Sequence, residues 1–437
     1  MKNLFKIIML SITLVFLVGC TNKAVNENNI NGKEDSKEEK DGKVELELWS
    51  YYDADKLIKN FEEKNPNIKI NQKIIKFDDY IDGVKKGLTE ENGPDILIID
   101  SNQYGDFISI DALEDMSKKE YDILRYKDDY DKDLWELGMS LDKKRLLGLP
   151  FASAPLVTYY RADIMEKYGF PSEPNELSKY MENPNNWIKM AERLKSDGIY
   201  MLQWAAEITK IYTADMPYFD GQLKYERNND KFKKGIEIAK EVKDKSLIPY
   251  TDIWSPLGKE YLQDGKFAML YLGSWGAREL EAMVPDQSGK WRVTSLPFGV
   301  NGWNNSSIIS VTKKCTNKNE AMDFVKESVF EQYDKEAVGS VNGYLPFRNN
   351  EDTLKKENKF LGGQREQAFY EEVMEKTKEY CVTPFDERAF KLWDRVLNEG
   401  LDEEMESDKI MKNISDEIEK EFSRERDFIL EGLKNVK

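Results

Sequence analysis

The chain has 437 residues, a formal charge of −17 and no histidine. Without histidine it lacks the commonest general base, the commonest transition-metal ligand and the usual pH switch near neutrality. Its acidity makes it a poor partner for nucleic acid, whose binding is dominated by phosphate neutralisation, and three cysteines are too few for a secreted disulfide scaffold.

Lys2 and Lys6 precede an apolar run from Ile7 to Val18, too short to span a bilayer of about 30 Å but suited to the core of a signal peptide. Gly19 before Cys20 has the form of a lipobox. Residues 1–19 are therefore expected to be a signal peptide, with Cys20 lipidated and two or more acyl chains giving lasting anchorage. Residues 20–42 carry Val25 and Ile30 as their only sizeable apolar side chains. They cannot bury enough surface to order themselves and read as a flexible tether, holding the rest about 25 Å from its anchor.

From Lys43 to Trp49 apolar and polar residues alternate, the pattern of a half-buried strand. Ser50-Tyr51-Tyr52-Asp53 follows, then a predicted helix from Ala54 to Glu63 stopped at Asn65-Pro66-Asn67. A strand over Ile68 to Ile75 and a helix from Tyr80 to Leu88 lead to the unbroken apolar run Ile96 to Ile99. Such a run reads as a strand covered on both faces, and the β-α-β-α-β order implies an α/β layer structure. Gly148, Pro150 and Pro155 interrupt regular structure. Leu156 to Tyr160 then reads as a buried strand, followed by a short helix over Ile164 to Lys167. A strand that starts at a proline-marked crossing suits a chain passing from one lobe into a second. Asn319 to Phe330, Gln364 to Lys378 and Asp402 to Leu433 show helical apolar spacing with charge on the solvated face.

Several of these stretches together resemble the bacterial extracellular solute-binding proteins of family 1, the sugar-binding group that serves ABC transporters. They are Trp49-Ser-Tyr-Tyr-Asp53 before the first helix, Gly93-Pro-Asp-Ile-Leu-Ile-Ile-Asp100, and the crossing from Gly148 to Asp163. Further matches are Asp264-Gly-Lys266 through Gly273-Ser274-Trp275, Asn301-Gly302-Trp303 before Ile308-Ile309-Ser310, Gly343-Tyr-Leu-Pro-Phe-Arg348, and Pro384 with Trp393. The family usually has two glycines near 302, where this chain has one. The resemblance implies a two-lobed periplasmic-binding-protein-like fold (type II), α/β, with discontinuous lobes joined by a hinge. Residues 43–150 and 298–345 would form lobe one, and 156–297 and 346–437 lobe two. It also implies a carbohydrate ligand, an oligosaccharide, and delivery to ABC permease subunits by a monomer lipid-anchored on the extracellular face of the cytoplasmic membrane.

In open α/β sheets ligands lie beyond the C-terminal ends of strands. That rule selects Tyr51, Tyr52 and Asp53 after the first strand, Asp100, Asn102 and Tyr104 after the third, and Trp275 after the strand from Lys266. The resemblance adds Ser153, Trp303, Tyr344 and Trp393. Sugars present flat C–H faces edged with hydroxyls, so their sites need aromatic platforms beside carboxylates or amides; 9 Trp and 22 Tyr supply them. Trp135 and Trp187, on helical faces, are expected in the core. Trp204 and Trp254 fit either place, and Trp204 is kept as a candidate. No G-x-S-x-G, P-loop or G-x-G-x-x-G pattern occurs, so no catalytic residue, cofactor or metal ligand is assigned. Binding should be nearly independent of pH between about 6 and 8, and Cys315 and Cys381 are expected free. Binders of a polyol phosphate or polyamine, a surface-anchored glycoside-processing enzyme and an adhesin are the alternatives.

Overall fold

The computed structural model describes residues 43–332, 339–348, 350–377 and 382–435; the signal peptide, Cys20, the tether and Cys381 lie outside these. The described chain is built on one sheet of seven strands: β1 (Val44–Ser50), β2 (Ile68–Ile74), β3 (Ile96–Asp100), β4 (Leu149–Arg161), β5 (Met269–Gly273), β6 (Trp291–Thr294) and β7 (Gly302–Val311). They run in the order β2-β1-β3-β7-β4-β5, with β6 also paired to β4. β1 is parallel to both β2 and β3, and the connections between them are helices Asp55–Lys64 and Tyr80–Gly87. Ile58 and Phe61 of the first and Tyr80 and Val84 of the second are buried. All five residues of β3 are buried, as its unbroken apolar run predicts.

Three apolar cores pack against this sheet. The first gathers side chains from 46–151 and 308–330. The second draws on 160–300 and 385–422, and a third on 157–293 and 341–374. Two strands link them. β7 pairs with β3 through Ser307–Val311 and with β4 from Leu149 to Leu156. Beyond that point β4 takes β5 and β6 as neighbours. Where β4 and β7 cross, the hydroxyls of Ser153 and Ser306 hydrogen-bond, and Ser153 exchanges backbone bonds of 2.8 and 2.7 Å with Val341.

β4 corrects one expectation. Pro150 and Pro155 do not end regular structure but lie within a single 13-residue strand. The pairing with β7 shifts register between Pro150 and Ala152 and again between Ala154 and Pro155. An irregularity of this kind leaves the imide nitrogen where no donor is required. A second correction concerns the C-terminus. The helix expected from Asp402 to Leu433 begins instead at Ser407, and a separate helix occupies Asp386–Asp402. Glu404 between them has φ 54°, which breaks the run.

Candidate functional site

The C-terminal ends of β1 and β3 meet the start of β7. Tyr51 Oη and Ser307 Oγ lie 2.8 Å apart. The Tyr51 ring stands edge-on to Tyr52 at 4.9 Å and to Phe77 at 5.7 Å. Gln72 of β2 donates to the Tyr52 carbonyl at 2.8 Å and to Ser50 Oγ, fixing the turn that carries both tyrosines. Burial pushes the Tyr52 phenol up to about 12, while the Ser307 hydroxyl and the positive charge of Arg278 act against it. Arg278 lies on helix Gly276–Met283 and is exposed, so its charge reaches Tyr52 from the element that follows Trp275.

Asp100 is 1% exposed. Its carboxylate accepts the Asn102 N–H at 2.9 Å, capping helix Ser101–Ile108, and a bond from the Asn305 amide. Asn305 in turn accepts from Asn304 Nδ2 at 2.9 Å, and Asn102 Nδ2 donates to the Asn304 carbonyl at 3.4 Å. Asn304 and Trp275 both approach the strand end at Gly273. A Cβ on Gly273 would lie 2.3 Å from Trp275 Nε1 and 3.0 Å from Asn304 Nδ2. Only glycine lets the indole and the asparagine approach that strand end together. Trp275 is half-buried, and its ring lies 6.3 Å from that of Trp254. The arrangement offers an aromatic face beside amide and phenol groups.

Tyr51, Tyr52, Asn102 and Trp275 thus border one polar and aromatic cluster, with Asp100 beneath it. Other candidates sit elsewhere. Asp53 is exposed and accepts the Asp55 N–H at 2.8 Å at the start of a helix. Trp303 is half-buried, packs between the first and third cores and donates to Ser306 at 3.2 Å. Trp204 is exposed beside Tyr250. Tyr344 packs edge-on against Tyr126, Phe330 and Phe347. Three expectations need correcting because burial removes the side chain from any ligand's reach. Tyr104 is fully buried and donates to the Gly138 carbonyl. Ser153 is fully buried at the strand crossing. Trp393 lies inside the second core. Trp135 and Trp187 are buried, as their helical faces predict, and Cys315 is a free buried thiol.

The sequence reading missed Phe77, Asn304, Asn305, Ser307 and Arg278. The polar run Asn304 to Ser307, opening an otherwise apolar strand, was the available signal for three of them. A cavity of about 480 Å³ lies between Lys56, Leu57 and Asn60 on one side and Asn342, Arg348 and Gln367 on the other. None of the sequence-selected cleft residues lines it. Arg348 bonds Asp131 at 2.9 Å and Glu371 at 2.6 Å, joining the helix after Asp131 to helix Glu366–Glu375. Among the described residues no group of three or more Cys, Asp or Glu is arranged to hold a metal ion.

Burial raises the Asp100 carboxyl from its ordinary 3.8 to about 6, with the bonds from Asn305 and Asn102 offsetting part of the effect. A titration therefore falls at the lower edge of the window in which binding was expected to be flat. Because the folded value is the higher one, the stabilisation is fully present below the unfolded value. It is lost as pH rises through 6. Asp100→Asn should gain on the wild type between pH 4 and 7 by about 2 kcal/mol. Urea unfolding of both proteins at pH 4, 5.5 and 7 measures this, and a difference that stays constant with pH contradicts it.

Discontinuous cores on one shared sheet, joined by two crossing strands, define the two-lobed periplasmic-binding-protein-like fold of type II. The chain belongs to the bacterial extracellular solute-binding proteins, whose family model matches residues 56–359. It resembles the galacto-N-biose/lacto-N-biose I-binding protein of a Bifidobacterium longum ABC transporter, solved with lacto-N-biose. The TM-score is 0.73 at 18% identity, covering 87% of this chain and 98% of that one. An ABC-transporter-associated binding protein of B. animalis subsp. lactis, solved with beta-1,6-galactobiose, gives 0.72 at 18% identity, covering 88% and 98%. A lactose-binding protein of Rhizobium radiobacter is 25% identical over 242 residues. That alignment spans 50% of this chain and 55% of the relative. No helix among the described residues is long and apolar enough to cross a membrane.

Proposed function

We propose that this protein is the substrate-binding lipoprotein of an ABC importer, holding an oligosaccharide between its lobes and delivering it to the permease as a monomer. The observation that carries the reading is the Trp275 indole beside Asn304 and Trp254, within a cluster that also presents Tyr51, Tyr52 and Asn102. Sugar rings need such a pairing of aromatic face and amide edge. The similar proteins that carry lacto-N-biose and beta-1,6-galactobiose support the ligand class, as does the lactose-binding relative.

We assign residues 43–150 and 298–345 to lobe one and 156–297 and 346–437 to lobe two. Closure is a hinge motion about the β4–β7 crossing, favoured by contacts that only the closed form makes. Micromolar binding requires about −8 kcal/mol. A few stackings at about 1 kcal/mol and several hydrogen bonds at about 1 kcal/mol each are of the right size. The reading contains no catalytic step.

A thermal-shift screen against mono- and oligosaccharides tests it, because a ligand that binds only the native state raises its stability. Assaying the same panel for hydrolysis separates a binder from a glycoside-processing enzyme. At the N-terminus, mass spectrometry of the mature protein should find a diacylglyceryl group on Cys20, and Cys20→Ala should release the protein from cells. An unmodified mature N-terminus in the wild type would defeat the anchor.

A further inference from the structure

Behind the turn that carries Trp275, a line of buried oxygens runs from the end of β5 to helix Glu366–Glu375. Tyr159 Oη lies 2.9 Å from the Ser274 carbonyl and 3.3 Å from that of Gly273. Tyr370 Oη lies 2.8 Å from Tyr159 Oη, and Glu366 Oε2 lies 3.0 Å from Tyr370 Oη. The other Glu366 oxygen accepts the Asn358 amide at 2.6 Å. Tyr159 and Tyr370 are 0% exposed and Glu366 is 5% exposed, so bulk solvent does not supply the protons in these contacts.

The protons can be counted. Ser274 to Tyr159, Tyr159 to Tyr370 and Tyr370 to Glu366 are three contacts between oxygens, and each needs one hydrogen. The carbonyl has none to give, and each phenol has one. With an ionised carboxyl the line would hold two protons for three contacts. One pair of oxygens would then meet lone pair to lone pair in a buried site, where an unmade bond is most costly. A proton on Glu366 completes the set: the acid donates to Tyr370, Tyr370 to Tyr159, and Tyr159 to the Ser274 carbonyl.

The surroundings favour that proton. Burial pushes the Glu366 carboxyl above its ordinary range, and Glu281 on helix Gly276–Met283 adds to the effect. The bonds with Asn358 and Tyr370 and the charge of Lys356 act against it. The same helical turn also holds the segment facing Ser274. Gln367 donates to the Ser340 carbonyl at 2.9 Å, and Ser274 Oγ donates to the Gly339 carbonyl at 2.7 Å.

We propose that Glu366 is a protonated carboxylic acid in the folded protein and a positioning residue for Trp275, acting through Tyr370, Tyr159 and the Ser274 carbonyl. The positioning role rests on the sugar-binding reading; the protonation does not. Because the folded value is the higher one, this hold on the strand end is fully present below the unfolded value of glutamate. It is lost as pH rises through the folded value.

Infrared difference spectra of the full chain in detergent, wild type against Glu366→Gln, test the protonation. They are taken at about pH 5.5, where an exposed glutamate is almost wholly ionised. A carboxylic-acid carbonyl band should be present in the wild type and absent from the variant; carboxylate bands in its place overturn the proposal. Positioning is read from the Trp275 indole N–H resonance, identified by its loss in Trp275→Phe. It should move in Glu366→Met, which has no donor, and return in Glu366→Gln, whose amide donates to Tyr370 in place of the acid. An indole resonance indifferent to Glu366→Met overturns the positioning role. Calorimetry with lactose, lacto-N-biose and beta-1,6-galactobiose adds the functional arm. A sugar that binds should bind Glu366→Met roughly fivefold more weakly, the size of one lost hydrogen bond. Its wild-type affinity relative to Glu366→Gln should fall as pH rises. If none of the three binds, it is the sugar reading that fails, and the infrared band and the indole resonance still decide the proposal.

Discussion

Trp275→Ala should weaken sugar binding at least tenfold and leave the unliganded melting temperature almost unchanged. The ring is half-buried and lies over the strand end at Gly273. The third core covers the ring only in part, so the full stability cost of deleting a closed core side chain does not apply. The lost stacking, about 1 kcal/mol beyond the lost contact area, accounts for most of a tenfold change, which is about 1.4 kcal/mol. Gly273→Ala provides a second route to the same result. Its new Cβ would fall 2.3 Å from Trp275 Nε1, forcing the indole aside without deleting it. Calorimetry and a thermal melt on the same preparation read both quantities. A steep fall in melting temperature with affinity retained would make Trp275 core filler.

The opposite pattern is expected at Trp393. It is 0% exposed, tilted against Phe232 at 5.6 Å and edge-on to Tyr218 at 6.5 Å. Trp393→Ala should cost about 3–5 kcal/mol of stability, seen as a lower urea midpoint at unchanged m. The folded fraction should bind sugar as the wild type does. Trp393→Phe should cost far less, because the indole N–H is buried without a hydrogen-bond partner and its removal leaves no orphaned acceptor. Loss of binding without loss of stability in Trp393→Ala would return this residue to the cleft position implied by the family resemblance.

Trp393 also shows where the sequence was legible and was overruled. Ala389, Trp393, Val396, Leu397 and Leu401 are buried along one helix, and their spacing of three to four is the mark of an inward face. A family match placed the tryptophan in the cleft against that periodicity. At β1 and β3, by contrast, no such conflict arose. Alternation in one and an unbroken apolar run in the other were enough, because a strand's side chains fall on faces set by sequence parity alone.

What periodicity determined, then, was which segments form strands and helices and which faces they bury, together with the strand ends where a ligand group was expected. Tertiary structure decided the partners. Asp100 and Asn305 are 205 positions apart, and no local rule pairs them; β7 brings them together by running antiparallel to β3. Pro150 and Pro155 look like strand breakers in isolation but fall at register shifts against β7, because a proline's missing donor matters only where a neighbour offers an acceptor. Gly273 is an ordinary strand-end glycine until Trp275 and Asn304 converge on it. Each of these depends on which atoms stand opposite across the sheet, and that is settled by packing between segments far apart in the chain.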